Sequence, residues 1–458
     1  MSLIDVLIAG GGISGLSALH FIRQRKPELT VCLYESENRL GGTIGTDHID
    51  GYSFDWGPNG FLDREPLTLQ LCNDLGLTKQ LEPANANVSN RFILREGRLR
   101  SVPMSPGKFL TSDILPLSGK LRVMMEPFGS RPPNGDDESV YSFGVRRIGR
   151  QAADYLIQPM VSGIYGGDAE RLSLQSCFPI MKEMESEYGS LLKAMIVRGR
   201  RHKAAGRTTG GPSGPGGWLT SFHGGLDAII DALRQKYATE IQTGLGVRSI
   251  AKRDSQYLVA LADGSLVTAT TVILAVPSHA GAEIVKSLSA QLSAALASIP
   301  YAPIAVVCMG YPVGAVRADL NGFGFLVPKK ERRRILGSIW TSSIFADRAP
   351  LGKVQFRTMV GGDGDHESAG LSHSELVELV RRDLDAIVGI SGTPEITRIY
   401  RWRHGIPQFH IGHSGIMKQI ETELALIGNL HITGNAYYGI GLNDCIKQSH
   451  RVAQVVWP

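Results

Sequence analysis

Residues 3–16 read LIDVLIAGGGISGL, and this stretch decides the fold. Leu3 to Ala9 is a short aliphatic run of the kind that forms a strand buried on both faces of a parallel sheet. Gly10, Gly12 and Gly15 follow in the spacing G-x-G-x-x-G, and Leu16, Leu19, His20 and Ile22 begin a helical pattern that stops before Pro27. The first glycine allows a tight turn, the second lets backbone approach a pyrophosphate, and the third allows close helix–strand packing. Val31 to Tyr34 supplies a second aliphatic strand ending at Glu35, 20 residues past Gly15, where an acid meets ribose hydroxyls. An acid there disfavours a 2′-phosphate and so argues against NADP. The βαβ unit predicts a dinucleotide site in which the helix N-terminus offers N–H groups and a positive dipole end to phosphate.

Working outward, Glu35-x-x-x-Arg39-Leu40-Gly41-Gly42 adds a second glycine pair and an arginine. A plain NAD site does not need them; large flavoproteins use them to wrap FAD phosphate, and a basic turn is the bland alternative. GPNGFLD, Gly57 to Asp63, follows Phe54 and Trp56 and is a non-helical segment against which a planar ring can lie. Near the C-terminus HITGNAYYGIGLNDC, His431 to Cys445, runs from a strand through glycines into a helix. A β-meander is predicted over Val247 to Val276 with a hairpin at Asp263-Gly264. Ser372 and Glu375 form a capping box for a helix that Gly389 stops. The first and last segments read as parts of one nucleotide-binding sheet, with the rest inserted. GRTTGGPSGPGG, Gly206 to Gly217, reads as a mobile loop.

Composition sets the outer bounds. The chain has 458 residues, with 48 Lys+Arg against 43 Asp+Glu, and is long enough for about two or three domains. The net charge of +5 and the lack of a recognition motif argue against nucleic acid. Its 54 glycines, roughly 12% of the chain, exceed the usual ~7% without a collagen period. Cys32, Cys72, Cys177, Cys308 and Cys445 form no C-x-x-C pair, which argues against a dithiol centre or a thiolate metal site and for a reducing cytoplasm. The 12 histidines are scattered without metal-ligand spacing, so no metal site is expected. No signal peptide or membrane span is expected either.

The string of motifs is more specific than any of these features. GGGISGL, YESENRLGG, GPNGFLDREP, SNRFILREGRLRSVP, ESVYSFGVRRIG, GIYGGDAERLS, SCFP, GFGFLVP, GIPQFHIGH and GNAYYGIGLNDCI occur in order from residue 10 to residue 446. With these, the sequence resembles the oxygen-dependent protoporphyrinogen oxidases, similar in fold to the flavin amine oxidases. The resemblance implies an α/β architecture with three parts. A Rossmann-like FAD-binding domain of the p-hydroxybenzoate hydroxylase and amine oxidase type would take 1–85, 218–278 and 398–458. An α+β substrate domain would take 86–100 and 279–397. An inserted helical, membrane-facing domain would take 101–217 and end in the glycine-rich loop. It implies one non-covalent FAD per chain, which takes hydride from protoporphyrinogen IX to give protoporphyrin IX, with O2 as acceptor and H2O2 as product, in haem biosynthesis. Oxidation of coproporphyrinogen III to coproporphyrin III is the alternative. A flavin amine oxidase, with Tyr437-Tyr438 as an aromatic cage, is a more distant one, and a flavin or porphyrin carrier is the non-enzymatic one.

Carried over by position, the resemblance assigns FAD contacts to Gly10, Gly11, Gly12, Ile13, Ser14, Gly15, Glu35, Ser36, Arg39, Gly42 and Thr43 (the last by backbone). Gly57, Pro58, Asn59 and Gly60 would lie by the flavin and Val247 by the adenine, with Asn435, Ile440, Gly441 and Leu442 closing the site. Arg91 matches an arginine that pairs with a propionate, and Phe323 and Leu326 match residues that sandwich pyrrole rings. Gly324 lets the ring approach the strand, and Ile339 and Met359 match further walls. Asn59 is the expected orienter of the macrocycle, and no general base is marked. A porphyrinogen is a large apolar ring with carboxylates, so an apolar pocket with a cation at one edge is the pocket chemistry requires. A membrane surface, a ferrochelatase-type downstream enzyme and a second copy are candidate partners, with a location in the cytoplasm or on the inner face of the cell membrane. The basic clusters at Arg146, Arg147, Arg150 and at Arg198, Arg200, Arg201 are either headgroup contacts or solvated faces.

Overall fold

The computed structural model describes residues 3–103, 105–130, 137–204 and 217–456. All but the last residue of the expected loop at Gly206 to Gly217 thus lies outside the described residues.

The Leu3–Ala9 strand forms where expected, followed by the Ile13–Arg25 helix and the Val31–Tyr34 strand. Leu3–Ala9 pairs in parallel with Val31–Tyr34 on one side and with Leu266–Leu274 on the other. Leu430–Ile432 adds in parallel to Leu266–Leu274, and Ile241–Gln242 to Val31–Tyr34. Five parallel strands therefore direct their carboxyl ends to one edge, and Val247–Arg253 and Gln256–Leu261 complete the sheet as an antiparallel meander. One face carries Val6, Ile8, Val31 and Leu33 against helices Ile13–Arg25, Ala228–Lys236 and Leu442–Val455. The other carries Ile4, Leu7, Val272 and Leu274 against helices Ser278–Val285, Ala290–Ala297 and His413–Ile427. Burial on both faces is why these strands read as unbroken aliphatic runs.

A second sheet has seven strands in the spatial order Ile396–Pro407, Tyr301–Pro312, Lys353–Gly361, Ile335–Trp340, Gly324–Leu326, Phe92–Arg95, Arg98–Ser101. The His373–Val388 helix, begun by the expected Ser372/Glu375 capping box, covers one face through Leu376, Leu379, Val380 and Leu384. The other face carries Ile304, Val306 and Cys308 against Tyr52 and Phe54. Ile396–Pro407 pairs with Tyr301–Pro312 along nearly its whole length. The stretch from 398 thus begins in the second sheet, and the boundary expected there moves toward the C-terminus.

Between the sheets in sequence, residues 106–204 are helical among those described. Ala153–Ile157 is a π-helical segment just ahead of Pro159. A proline at 159 offers no N–H to the carbonyl of Tyr155 and its ring crowds that carbonyl, so the wider turn relieves both. The helix that follows, Gln158–Tyr165, sets Gly163 against Leu326, where an added Cβ would come within 2.6 Å of the leucine. The expected solvated or headgroup-facing cluster at Arg146 and Arg147 is instead an internal ion-pair network. Arg147 is fully buried on Glu126, and Arg146 bridges Glu138 and Glu185 at 2.5 and 2.6 Å. Five carboxylate and guanidinium groups gathered in one place need each other, because an unpaired buried charge is costly. No helix among the described residues is long and apolar enough to cross a membrane.

Candidate active site

The carboxyl edge of the first sheet gathers four chain turns: the glycines after Ala9, Glu35 after Tyr34, Ala275 after Leu274, and Gly434 after Ile432. Ligands of open parallel sheets bind at such an edge. Gly10 has φ +109°, and a Cβ on it would lie 2.5 Å from the Ala275 carbonyl oxygen. A Cβ on Gly15 would lie 1.9 Å from the Gly10 oxygen. Both are thus required by the fold itself. Gly12 differs: nothing lies within 4 Å of where its Cβ would be. The space before Gly12 is a cradle that only a ligand needs kept open.

Glu35 Oε2 accepts the Gly11 N–H at 2.6 Å, while Oε1 accepts from Ser36 and from the Glu37 N–H. Gly246, just before Val247, packs on Ser36, so the expected adenine-side residue stands beside the acid. Gly41 forms a parallel bridge with Gly12, its N–H donating to the Gly11 carbonyl at 2.8 Å, and Gly42 faces the Gly12 Cα. Arg39 donates to the carbonyls of Leu40, Ile44 and Gly42 and lies 4.4 Å over the Trp56 ring, which braces the second glycine turn. Thr43 is half-buried, and a Cβ on Gly57 would meet the Thr43 carbonyl at 2.3 Å. Among the described residues Asn59 Nδ2 is buried with no hydrogen-bond partner, as is Trp56 Nε1 just ahead of it. From the other side the Leu442–Val455 helix packs on Ile13–Arg25, with Ser449 Oγ donating to the Ser14 carbonyl at 2.7 Å. Gly441 caps it and donates to Asp444 at 3.2 Å, a carboxyl that burial pushes up. Two helix N-termini, an open glycine and an orphaned amide therefore converge, and this set fits an FAD.

The expected substrate residues fall into register on the open face of the second sheet. Gly324 pairs with Ile339, and Ile339 with Arg357; Leu326 pairs with Gly337, and Gly337 with Met359. Continuing the parallel register Phe325 with Phe92 sets Arg91 level with Gly324. One row thus runs Arg91, Gly324, Ile339, Arg357, and the next runs Leu326, Gly337, Met359. Gly324 has φ +124°, and a Cβ there would strike the Ser338 carbonyl at 2.1 Å. Phe323 leaves this face at the Arg91 end, with the guanidinium 4.8 Å over its ring. Arg91 is half-buried, and burial is what pulls its basicity down; no carboxylate lies within 4 Å among the described residues. The platform is apolar with an unpaired cation at its edge. Gly337 and Arg357 were not expected. Gly337 is a plain glycine in a strand, and Arg357 in KVQFRTMVG reads as an ordinary polar position of an alternating strand. Only the register brings them in. Tyr437 is buried while Tyr438 is exposed and donates to Glu421, so the two tyrosines do not face one another as a cage.

A family model described as flavin containing amine oxidoreductase matches residues 13–457. The chain belongs to that family. Its cofactor is FAD and it is an oxidoreductase. It is similar to the coproporphyrinogen III oxidase of Bacillus subtilis (strain 168), 31% identical over 97% of this chain and 96% of the relative. It is also similar to the chloroplastic protoporphyrinogen oxidase of Oryza sativa subsp. japonica, 32% identical over 99% of this chain and 88% of the relative. Among solved structures, a candidate protoporphyrinogen oxidase of Exiguobacterium sp. 255-15 superposes with a TM-score of 0.84 at 25% identity, covering 100% of this chain and 99% of that one.

Proposed function

We propose that this protein oxidises a porphyrinogen, protoporphyrinogen IX to protoporphyrin IX, with O2 as acceptor and H2O2 as product. The single observation that carries the reading is Arg91: a desolvated guanidinium with no carboxylate within 4 Å among the described residues, at the rim of an apolar platform. Such a cation invites an anion on an otherwise apolar ligand, and a propionate on a macrocycle is that combination. FAD, when bound, supplies hydride acceptance and its own reoxidation by O2. The chain supplies placement. Arg91 holds the carboxylate edge, Phe323 and Leu326 flank the pyrrole rings, and Gly324 lets the ring lie close to the strand. Asn59, with an unsatisfied amide, orients the reacting edge. Catalysis then rests on setting the reacting carbon about 3–3.5 Å from the acceptor atom rather than on a side-chain base.

The names of the relatives support coproporphyrinogen III as a second substrate reading. The test of both is one experiment: oxidation rates of protoporphyrinogen and coproporphyrinogen side by side in air, read by porphyrin fluorescence. A protein that holds FAD and yields no fluorescent porphyrin from either sinks the proposal. A peripheral membrane position is also proposed. Leu110, Leu117, Leu121, Met124, Met125 and Phe128 are exposed on neighbouring helical turns of the inserted segment. Contiguous exposed apolar side chains mark interaction surfaces. A downstream enzyme that receives the released porphyrin and a second copy of the chain are further proposed partners.

A further inference from the structure

Arg357 stands at the junction between the glycine cradle and the substrate platform. It shares a row with Ile339 and lies two residues from Met359 on the same sheet face. Its Nε donates to the Asp55 carbonyl at 3.4 Å and its Nη2 to the Gly57 carbonyl. The intervening Trp56 carbonyl is taken by Trp402 Nε1 at 3.3 Å. Three consecutive carbonyls are therefore fixed by side chains of the second sheet. From Gly57 the contacts continue to Thr43, and from the adjoining Gly42 to Gly12 and its open space.

The guanidinium has no carboxylate within hydrogen-bond reach among the described residues. Asp55 is the nearest acid, and its carboxylate is engaged by Arg348 at 3.4 Å, Thr46 at 2.8 Å and the Leu226 N–H at 3.1 Å. The other neighbour is Cys308, paired with Arg357 across the strands, whose thiol burial pushes up to about 12 and so keeps uncharged. Arg357 itself is only 6% exposed. A buried cation held by carbonyls alone is costly, and an anion beside it would offset that cost.

We propose that Arg357 is the cation that stabilises the electron-rich form of the bound flavin, and that it holds Gly57 in place for the same ring. The proposal rests on the reading that the FAD ring lies along Gly57–Gly60. Each two-electron step sends a hydride, two electrons with one proton, from a meso C–H of the porphyrinogen to the flavin. A pyrrole N–H proton leaves to solvent as a C=C forms at the meso carbon and a C=N within the pyrrole, so the flavin gains one negative charge. A fixed, water-excluded positive charge favours that product. Dioxygen then takes the hydride's two electrons and proton, with one proton from solvent, as hydrogen peroxide. A substrate carboxylate is the competing partner for Arg357. The contacts to Asp55 and Gly57 place the cation on the cofactor side of the platform, three strand spacings, roughly 14 Å, from Arg91.

The test compares holoenzymes of wild type, Arg357→Met and Arg357→Lys by anaerobic dye equilibration and by titration with sulfite, a nucleophile whose addition leaves negative charge on the flavin. Arg357→Met is expected to move the reduction equilibrium about tenfold toward the oxidised flavin, some 30 mV for a two-electron couple, and to weaken sulfite binding about as much. Arg357→Lys, which keeps the charge, should recover most of both. A Met variant with full FAD and an unchanged potential overturns the inference while leaving the flavin reading intact. Equal effects of Met and Lys overturn it too, leaving Arg357 as a brace for the Gly57 main chain. A changed KM for porphyrinogen with an unchanged potential assigns the cation to substrate and overturns it as well. If the Met variant does not fold, Arg357→Gln takes its place in the same comparison. A wild-type chain without FAD would bring down both the inference and the reading beneath it.

Discussion

The two outer glycines of the fingerprint and the middle one make different demands, and a pair of alanine substitutions separates them. At Gly15 the new Cβ would sit 1.9 Å from the Gly10 carbonyl oxygen and 3.2 Å from the Ala275 Cβ. Alanine gains roughly 0.5–1 kcal/mol of helix propensity over glycine, but forcing a methyl into packed backbone costs about 1–3 kcal/mol or more. Gly15→Ala is therefore expected to destabilise the apo chain by a net ~1–2 kcal/mol. At Gly12 the backbone is extended, φ −73° and ψ 176°, and nothing lies within 4 Å of the new methyl. Its apo stability should change by no more than about 1 kcal/mol, the ordinary cost of alanine at a helix N-cap. The methyl instead occupies the cradle. An overpacking cost of about 1–3 kcal/mol felt only with ligand present weakens FAD about tenfold to a hundredfold. At FAD held near 100 times the wild-type Kd, ligand stabilisation is about 2.7 kcal/mol, and a hundredfold weaker variant keeps only about 0.4 kcal/mol. Thermal unfolding with and without FAD, alongside quenching of flavin fluorescence by apoprotein, measures both halves. If Gly12→Ala binds FAD like wild type, the open space before Gly12 is not the cofactor cradle.

The remaining predictions concern the platform, the insert and the surface. Arg91→Ala should raise KM about tenfold to a hundredfold with little change in kcat, since a distal charge-assisted contact contributes about 1.5–3 kcal/mol of uniform binding; an unchanged KM removes Arg91 from the site. Gly324→Ala, at φ +124° and 2.1 Å from a carbonyl, should destabilise the second sheet by more than about 1 kcal/mol in denaturant unfolding. Burial alone raises the Glu126 carboxyl, but Ser190, the Leu191 and Leu192 N–H groups and Arg147 outweigh it and hold it below its ordinary value. A depressed carboxyl contributes stability that is present above its unfolded pKa and lost as pH falls through the folded one. The insert should thus loosen in acid below about pH 4, and Glu126→Gln should destabilise it by about 3–5 kcal/mol and flatten that dependence in pH-resolved unfolding. Phe128→Ser with Leu117→Ser should lower sedimentation with lipid vesicles while leaving soluble turnover unchanged; equal sedimentation would assign the exposed apolar turns elsewhere.

Much of the first sheet was legible because its strands obey one local rule. Leu3–Ala9 and Val31–Tyr34 are buried on both faces and read as aliphatic runs, while the Ser372/Glu375 box and Gly389 mark their helix by local chemistry. The boundary at 398 was not legible, because the Ile396–Pro407 strand alternates half-buried and exposed residues and nothing local says which sheet it joins. The basic pair Arg146-Arg147 was misread for a similar reason: its acids, Glu126, Glu138 and Glu185, are spread over 60 residues and meet only through helix packing. The site divides along the same line. Gly10 to Gly15 and Glu35 form one continuous local motif. Gly337 and Arg357 acquire meaning only from the pairings to Leu326, Met359 and Ile339.

Those pairings also bear on how one surface can turn over a bulky macrocycle through repeated two-electron steps. A platform built from side chains on separate loops would let each wall move independently. Here Gly324, Leu326, Gly337, Ile339, Arg357 and Met359 are held by adjacent ladders of a single sheet, backed by the His373–Val388 helix. Sheet spacing then fixes the distance between the Arg91 edge and the cofactor edge at roughly three strands. A fixed geometry of this kind suits the two proposed roles, an exchangeable anchor at Arg91 and a constant charge at Arg357. The half-buried Arg91, with no carboxylate within 4 Å among the described residues, and the buried Arg357, tied to two main-chain carbonyls, match that division.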